Sequence, residues 1–472
     1  MPLRHGDRLG VAHRTATRPD RPQTVRAPAQ ASRAPSRILR SPEPGLSPRR
    51  RPSPGGHVST TADRTSHARN EHMTFRANRG VGRHGWLRLT PAYGVRLVRG
   101  RISHLPAGSV ITDPFSGTGT TPLAAAELGH HGQSADLNPF LVWLGRAKVR
   151  QYPRQTLADA ATAAADAGDA AARMGRDTEL WQPNIFRIEK WWSPGALHAL
   201  RALRAALDAY SGPAGDLLQI ALCRVLISVS NAAFNHQSMS FKAAAGETRP
   251  GSFDPDAAAA TIALFGTEAA ALIESARVDL PGSAAVHEGD SRSVVPDLRE
   301  TDLVLTSPPY VNRMSYIREL RPYMYWLRYL DRAGDAGELD WRAIGGTWGS
   351  ATSNLRSWTP ATPTPVDEAL EAVCARIAAD GDRNGPLLAT YVRKYHHDMW
   401  LHFQTVTPLV KRGGQVSYIV GNSTFYGHGV PAQDWYALML RELGYADVEV
   451  EVIRKRNSNK ALFEFDVRAR RP

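Results

Sequence analysis

The chain has few cysteines: only Cys223 and Cys374 occur in 472 residues. That excludes a disulfide framework, and the spacing excludes a zinc-ligand quartet. Such usage fits a reducing cytoplasm. No run of about 18 apolar residues occurs, so the sequence predicts no membrane span. Residues 1–72 contain no lysine, almost no aromatic residue and no periodic apolar pattern. They also lack the apolar core of a secretory signal.

What the tail does contain is arginine, proline, serine and alanine. Fourteen arginines against five acids (Asp7, Asp20, Glu43, Asp63, Glu71) place nine of the thirteen net positive charges in residues 1–72. The pI of 9.9 therefore says little about the rest of the chain. The composition predicts a disordered segment. A translation start at Met73 is the expected reading, and a basic arm on nucleic acid is the alternative. Beyond it, a hydrophobic share of 42% suffices for a sizeable core. The length allows two or three domains, or one enlarged α/β domain.

After the tail, the chain organises into three parts. In residues 73–149, "LRLTPAYGVRLVRGRI" predicts a helix with Thr90 as N-cap and Pro91 at its first position. "GSVITDPFSGTGTTPLAAAELG" reads strand, glycine turn, helix, and "GQSADLNPF" is a second strand ending at Asp136. That is a βαβ unit, the signature of a parallel sheet. Residues 150–283 form a large helical insertion, with Ala, Leu and Ile at helical spacing. Strands return in 284–472 at "AAVHEGD", "DLVLTSPPY" and "GGQVSYIVGN". Within that part, about 331–390 reads as an irregular insertion. "GNSTFYGHGVP" reads as a flexible loop, and the chain closes on a hairpin with a basic tip, Arg454 to Lys460.

The loop "DPFSGTGTT" sits at the mouth of the first strand. Gly117 and Gly119 permit a tight turn and close backbone approach to a ligand. It is not the dinucleotide fingerprint, because Pro122 stands where the third glycine belongs, and it lacks the P-loop lysine. A smaller nucleoside suits it better. Asp136 ends the second strand, where an acid can accept from both ribose hydroxyls. Asp290 ends another strand at the same rim and can accept from an adenine amino group. A single aspartate after a strand is usually a turn residue or cap. Three such acids, with Asp113, beside one glycine loop point to a site.

Thr306-Ser307-Pro308-Pro309-Tyr310 ends the strand after Asp290. Prolines cannot donate to a sheet ladder, so the strand stops there. The segment supplies a serine hydroxyl, a fixed outward carbonyl and a flat ring. An exocyclic amine needs two acceptors and a stacking partner, and such a shelf supplies all three. A lone pair localised in this way can attack a sulfonium methyl in line, without a covalent enzyme intermediate.

"DPFSGTGTT" together with "TSPPY" resembles the S-adenosylmethionine-dependent DNA amino-methyltransferases, which modify cytosine N4 or adenine N6. The resemblance covers roughly 74–145, 284–325 and 390–465. It implies a Rossmann-like, doubly wound, mostly parallel α/β sheet with a C-terminal antiparallel hairpin, and it leaves the large helical insertion unexplained. It implies that Asp113, Phe115, Gly117, Gly119 and Thr120 border the cofactor, with Asp136 on its ribose and Asp290 and Ser291 at its adenine. Ser307, Pro308, Pro309 and Tyr310 would hold a flipped base. Double-stranded DNA is the implied partner, in a nucleoid-associated, cytoplasmic setting, alongside a cognate restriction or defence partner. Serine before the two prolines is, in that family, more typical of cytosine N4 enzymes; adenine N6 is the alternative. Relatives acting on RNA guanine or a glutamine amide generally carry Asp or Asn in place of Ser307. A non-enzymatic DNA-binding module is a third reading, against which the intact acids and shelf argue. The cofactor motif precedes the catalytic motif here, and both 150–283 and 311–390 qualify as the target-recognition region. Deleting residues 1–72 is expected to leave methyl transfer intact; collapse of DNA affinity in that variant would make the arm functional.

Other features are weighed against plainer readings. No Pro-Cys dipeptide exists, which disfavours a cytosine-C5 enzyme with its thiolate nucleophile. His396, His397, Asp398 and His402 do not provide an i, i+4 histidine pair, so no metal site is expected. "SNAAFNHQSMSFK" reads as a polar loop or a reader of base edges. Arg313, Arg318, Arg454, Arg456 and Lys460 are candidate DNA contacts, solvated by default.

Overall fold

The computed structural model describes residues 75–472, except 88–92, 234–239, 242–252, 296, 313–314, 347–349 and 457–460. Helix α1 (Val95–Ile102) precedes strand β1 (Val110–Asp113), helix α2 (Thr120–Glu127), β2 (His131–Asp136) and α3 (Pro139–Val149). The helical insertion follows as α4 (Arg154–Arg173), α5 (Pro194–Leu207), α6 (Gly212–Ser228), a strand pair β3 (Ala232–Ala233) and β4 (Ser240–Phe241), and α7 (Pro255–Ala276). Next come β5 (Ser283–Glu288), β6 (Thr301–Thr306), α8 (Tyr316–Trp326), α9 (Ala333–Arg342), α10 (Ser350–Leu355), α11 (Asp367–Asp380) and α12 (Gly385–Val406). The chain ends with β7 (Val410–Gly421), β8 (Ser423–Phe425), β9 (His428–Val430), α13 (Ala432–Glu442), β10 (Ala446–Lys455) and β11 (Phe463–Arg470).

Seven strands form one sheet in the order β10-β11-β7-β6-β1-β2-β5. The pairs from β5 through β7 are all parallel, while β11 runs antiparallel to β7 and to β10. This is a mixed α/β, Rossmann-like fold. Covered parallel strands read as continuous apolar runs, and Leu303, Val304 and Leu305 of β6 are buried accordingly. Strand order reverses between β1 and β6. The connections that leave the carboxyl ends of those two adjacent strands therefore diverge, and a crevice outside those ends is the usual ligand position in open α/β sheets.

Proline at the first turn recurs with a side-chain cap. Asn138, Ser193 and Asp254 accept backbone N–H bonds at the starts of α3, α5 and α7, each just before a proline. The insertion is not a detached module, because it shares its core with the sheet's own helices. Trp192 of the α4–α5 connection meets Trp326 of α8 edge-on at 5.6 Å, and Phe140 of α3 stacks on Tyr323 at 5.6 Å.

Several expectations change. α1 begins at Val95 with Gly94 as N-cap, and Thr90 and Pro91 lie outside the described residues. The stretch 331–390 is not irregular: it carries α9, α10, α11 and the start of α12. Its glycines and prolines fall mostly at helix ends, and Leu370, Val373, Cys374 and Ile377 give α11 a buried stripe. "GNSTFYGHGVP" is ordered as the β8–β9 hairpin. One helix, α7, is long and apolar enough by length and composition to cross a membrane. Its Phe265, Ala269, Leu272 and Ile273 are instead buried in the core shared with α4, α5 and α6.

Candidate active site

Asp113 closes β1 and is wholly buried. Its Oδ1 accepts from Phe115 N (3.0 Å) and from Thr306 Oγ1 of β6 (2.5 Å). Tyr93, itself hydrogen-bonded to Thr121, lies at 3.4 Å from Oδ2. Burial raises the Asp113 carboxyl above its ordinary range. Asp113 is thus a fastener between the two strand ends. Its neighbours Pro114 and Phe115 line the cavity described below, and Asp113 itself does not.

The glycine turn follows. Gly119 has φ 74°, and a Cβ there would sit 3.4 Å from Gly145 of α3, so glycine serves both the left-handed turn and the packing. Like Asp113, Gly119 supports the crevice without lining it. Asp136 ends β2, and its oxygens accept from Gly117 N (2.8 Å) and Asn138 N (2.9 Å). The carboxylate keeps lone pairs toward the crevice. Burial lifts its pKa to about 6, with the two backbone bonds opposing.

Behind this loop lies a residue that the sequence did not single out. Lys148 of α3 is fully buried, and its Nζ donates to the Thr118 carbonyl at 2.9 Å. Burial brings the amine down to about 7. A lysine buried on one carbonyl is an expensive way to hold a loop. We expect Lys148→Met to lower affinity for a loop-bound ligand about tenfold, one charged hydrogen bond's worth, without lowering the melting temperature. The sign of its pH effect is fixed: between about 7 and 10.5 the unfolded chain binds the extra proton, so stability rises with pH. Thermal melts across that window check it, and the rise should be smaller in Lys148→Met.

Asp290 lies two residues past β5. Arg292 grips it through Nε (3.0 Å) and Nη2 (2.7 Å) and also reaches Asp398 of α12 at 2.9 Å. Lys394 bonds the same Asp398. Burial pushes the Asp290 carboxyl up, but the Arg292 bonds and charge outweigh it and hold the group below its ordinary value. Ser291 accepts from His402 Nδ1 at 3.2 Å, so His402 Nε2 accepts from Tyr418. Burial takes His402 down to about 3, so it is a neutral strut, with its ring 4.7 Å from Phe115.

The shelf stands on the other strand. Ser307 Oγ donates to the Ile419 carbonyl at 3.1 Å. Tyr395 of α12 donates to the Pro309 carbonyl at 2.7 Å. Among the described residues no donor to the Pro308 carbonyl is seen. The Tyr310 hydroxyl donates to Glu464 Oε1 at 2.8 Å, and Arg454 binds both oxygens of Glu464 (2.6 and 3.0 Å). Arg456 lies 5.3 Å over the Tyr310 ring and donates to the Asn422 carbonyl. Gly421 pairs with Glu464 across the sheet. A Cβ there would come to 3.0 Å from the Tyr310 ring and 2.7 Å from Arg456, so a larger residue would have to shift this stack.

Loop, acids and shelf line one continuous cavity of about 340 Å³. Phe115, Gly117, Thr120 and Asp136 of the loop side, Asp290 and Ser291, and Ser307 through Tyr310 of the shelf all line it. Arg454 and Arg456, expected at a solvated hairpin tip, are wall residues instead. Arg318 belongs to the first turn of α8 and does not line the cavity, and Arg313 and Lys460 lie outside the described residues. "SNAAFNHQSMSFK" is also largely outside them. Leu339, Arg342, Ala343 and Ile344 at the end of α9 were missed and add a further side. Cys223 and Cys374 are buried, and burial pushes both thiols up. His396 faces the Val392 carbonyl, and His397 lies near Asp367.

No family model matches the chain, and no curated protein matches it.

Proposed function

We propose that the chain transfers a methyl group from S-adenosylmethionine to the exocyclic amino group of a base in double-stranded DNA, with cytosine N4 favoured. The observation that carries this reading is the single cavity joining the glycine loop to the proline shelf. The donor set fits the cofactor. Asp136 offers carboxylate lone pairs for ribose hydroxyls, and Phe115, Leu137 and Leu141 offer apolar walls. When bound, S-adenosylmethionine supplies an electrophilic methyl.

The chain's own residues do the rest. Ser307 Oγ and the Pro308 carbonyl are the acceptors for a target amine, and they hold its lone pair toward the methyl. Tyr310 is the stacking surface, fixed by Glu464 at its hydroxyl and by Gly421 beside its ring. No nucleophilic side chain is needed, in accord with two buried, protonated thiols. A base reaches this depth only by leaving the helix. Arg342 and Arg456 add positive charge along the cavity, where a phosphate backbone would pass. Ser307 favours cytosine over adenine by the family resemblance alone. A DNA substrate places the protein at the nucleoid, and a restriction or defence partner accords with that activity.

Calorimetry with S-adenosylmethionine, paired with methyl transfer to genomic DNA and to tRNA, tests the reading. Cofactor binding with transfer to DNA is expected. Transfer to tRNA and to no DNA would replace it with an RNA enzyme.

A further inference from the structure

Ser307, Tyr310 and Glu464 form a file of hydroxyl, phenol and carboxylate leading away from the shelf. The Ser307 and Tyr310 oxygens are 3.5 Å apart, and Tyr310 to Glu464 is 2.8 Å. Glu464 is 5% exposed, yet Arg454 alone could satisfy it. Aiming this carboxylate at the shelf's phenol calls for a chemical reason. Methylating an amine creates one, because the product nitrogen must lose a proton.

Resting on the function proposed above, we propose that Ser307, Tyr310 and Glu464 are a proton relay that drains the target amine, with Glu464 as terminal acceptor. As the nitrogen–carbon bond forms, the carbon–sulfur bond breaks and its electron pair stays on sulfur. The nitrogen is left cationic with one proton in excess. That proton passes to Ser307 Oγ, the Ser307 hydroxyl proton to the Tyr310 oxygen, and the Tyr310 proton to Glu464 Oε1. Both hydroxyls end as they began, the base ends neutral, and the carboxylate ends as a carboxylic acid. Ser307 needs only a rotation from the Ile419 carbonyl toward Tyr310. Burial holds the Tyr310 phenol protonated well above its ordinary range, so it carries a proton without itself ionising. Glu464 lines the cavity, through which the proton returns to water.

Tyr310→Phe keeps the ring and loses the hydroxyl. Glu464→Gln keeps the shape and loses the base. In the full-length protein each should slow single-turnover methyl transfer to DNA about a hundredfold, as loss of a general base does. The double variant should be no slower than either single one. Calorimetric affinity for S-adenosylmethionine should stay within about threefold of wild type, roughly the size of a neutral contact. Single-variant rates near wild type, or losses that multiply in the double variant, overturn the relay. A wild type that binds the cofactor and methylates no DNA overturns the functional reading beneath it, and the relay with it.

Discussion

On the proposed function, Ser307→Ala is expected to lower methyl transfer to DNA by about a hundredfold or more, the cost of one lost transition-state acceptor, and to leave affinity for S-adenosylmethionine nearly unchanged. Ser307 follows the end of β6 and lines the cavity that Phe115 and Asp136 also line. Its hydroxyl touches the Ile419 carbonyl and Tyr310, and neither belongs to the glycine loop. The loss therefore falls on turnover rather than on cofactor binding. Tyr310→Ala behaves the same way and is the harsher change, because it removes the ring along with the hydroxyl. It also leaves Arg456 without its stacking face and Glu464 without a donor. Single-turnover kinetics beside calorimetry separate the two effects. Parallel loss of cofactor binding in Ser307→Ala would contradict the division of the cavity into two halves.

On the same reading, Asp136→Asn is expected to weaken S-adenosylmethionine binding about a hundredfold, because hydrogen bonds to a charged acceptor are worth about 1.5–3 kcal/mol. The amide keeps one carbonyl oxygen but places a donor where the ribose offers another donor. The pH dependence follows from the same residue. Burial raises the Asp136 carboxyl to about 6, and the ionised form is the one that accepts. Wild-type affinity therefore falls as pH drops through about 6, and Asp136→Asn shows no such limb. Stability runs the other way. Between 3.8 and about 6 the folded carboxyl holds a proton that the unfolded one has lost. Stability contributed by this group thus declines as pH rises through that window. Calorimetric titrations from pH 5 to pH 8 (roughly the range around that pKa) and thermal melts check the two signs independently.

The parts legible in the sequence were those with local punctuation. A glycine turn after a short apolar run, an aspartate ending the next strand, and a double proline ending a third each have a backbone reason that neighbouring residues reveal. The sheet follows from them, since βαβ spacing leaves little choice of topology. What stayed hidden was long-range. Glu464 in "FEFDV" reads as one more alternating polar residue, and only the pairing of β11 with β7 brings it beside Gly421 and Tyr310. Lys148 in "LVWLGRAKV" reads as an exposed helix cation, yet its position on α3 aims it under the glycine loop. Arg292 follows Asp290 by two residues, but its second partner, Asp398, lies 106 positions away. Arg454 and Arg456 were read from the charge of a hairpin tip, whereas β10 pairing brings them to the cavity. The α9–α11 stretch was misread because its glycine, proline and tryptophan content outweighed its helical periodicity.

The central claim is that the proline shelf presents a DNA amine to a methyl donor held by the glycine loop. Genomic DNA from a host expressing the chain, digested to nucleosides and resolved by mass spectrometry beside DNA from a Ser307→Ala host, tests it most directly. The account predicts N4-methylcytosine in the first sample and its absence from the second. N6-methyladenine in its place would keep the chemistry and reverse the base. Identical nucleoside profiles in the two samples would contradict the account.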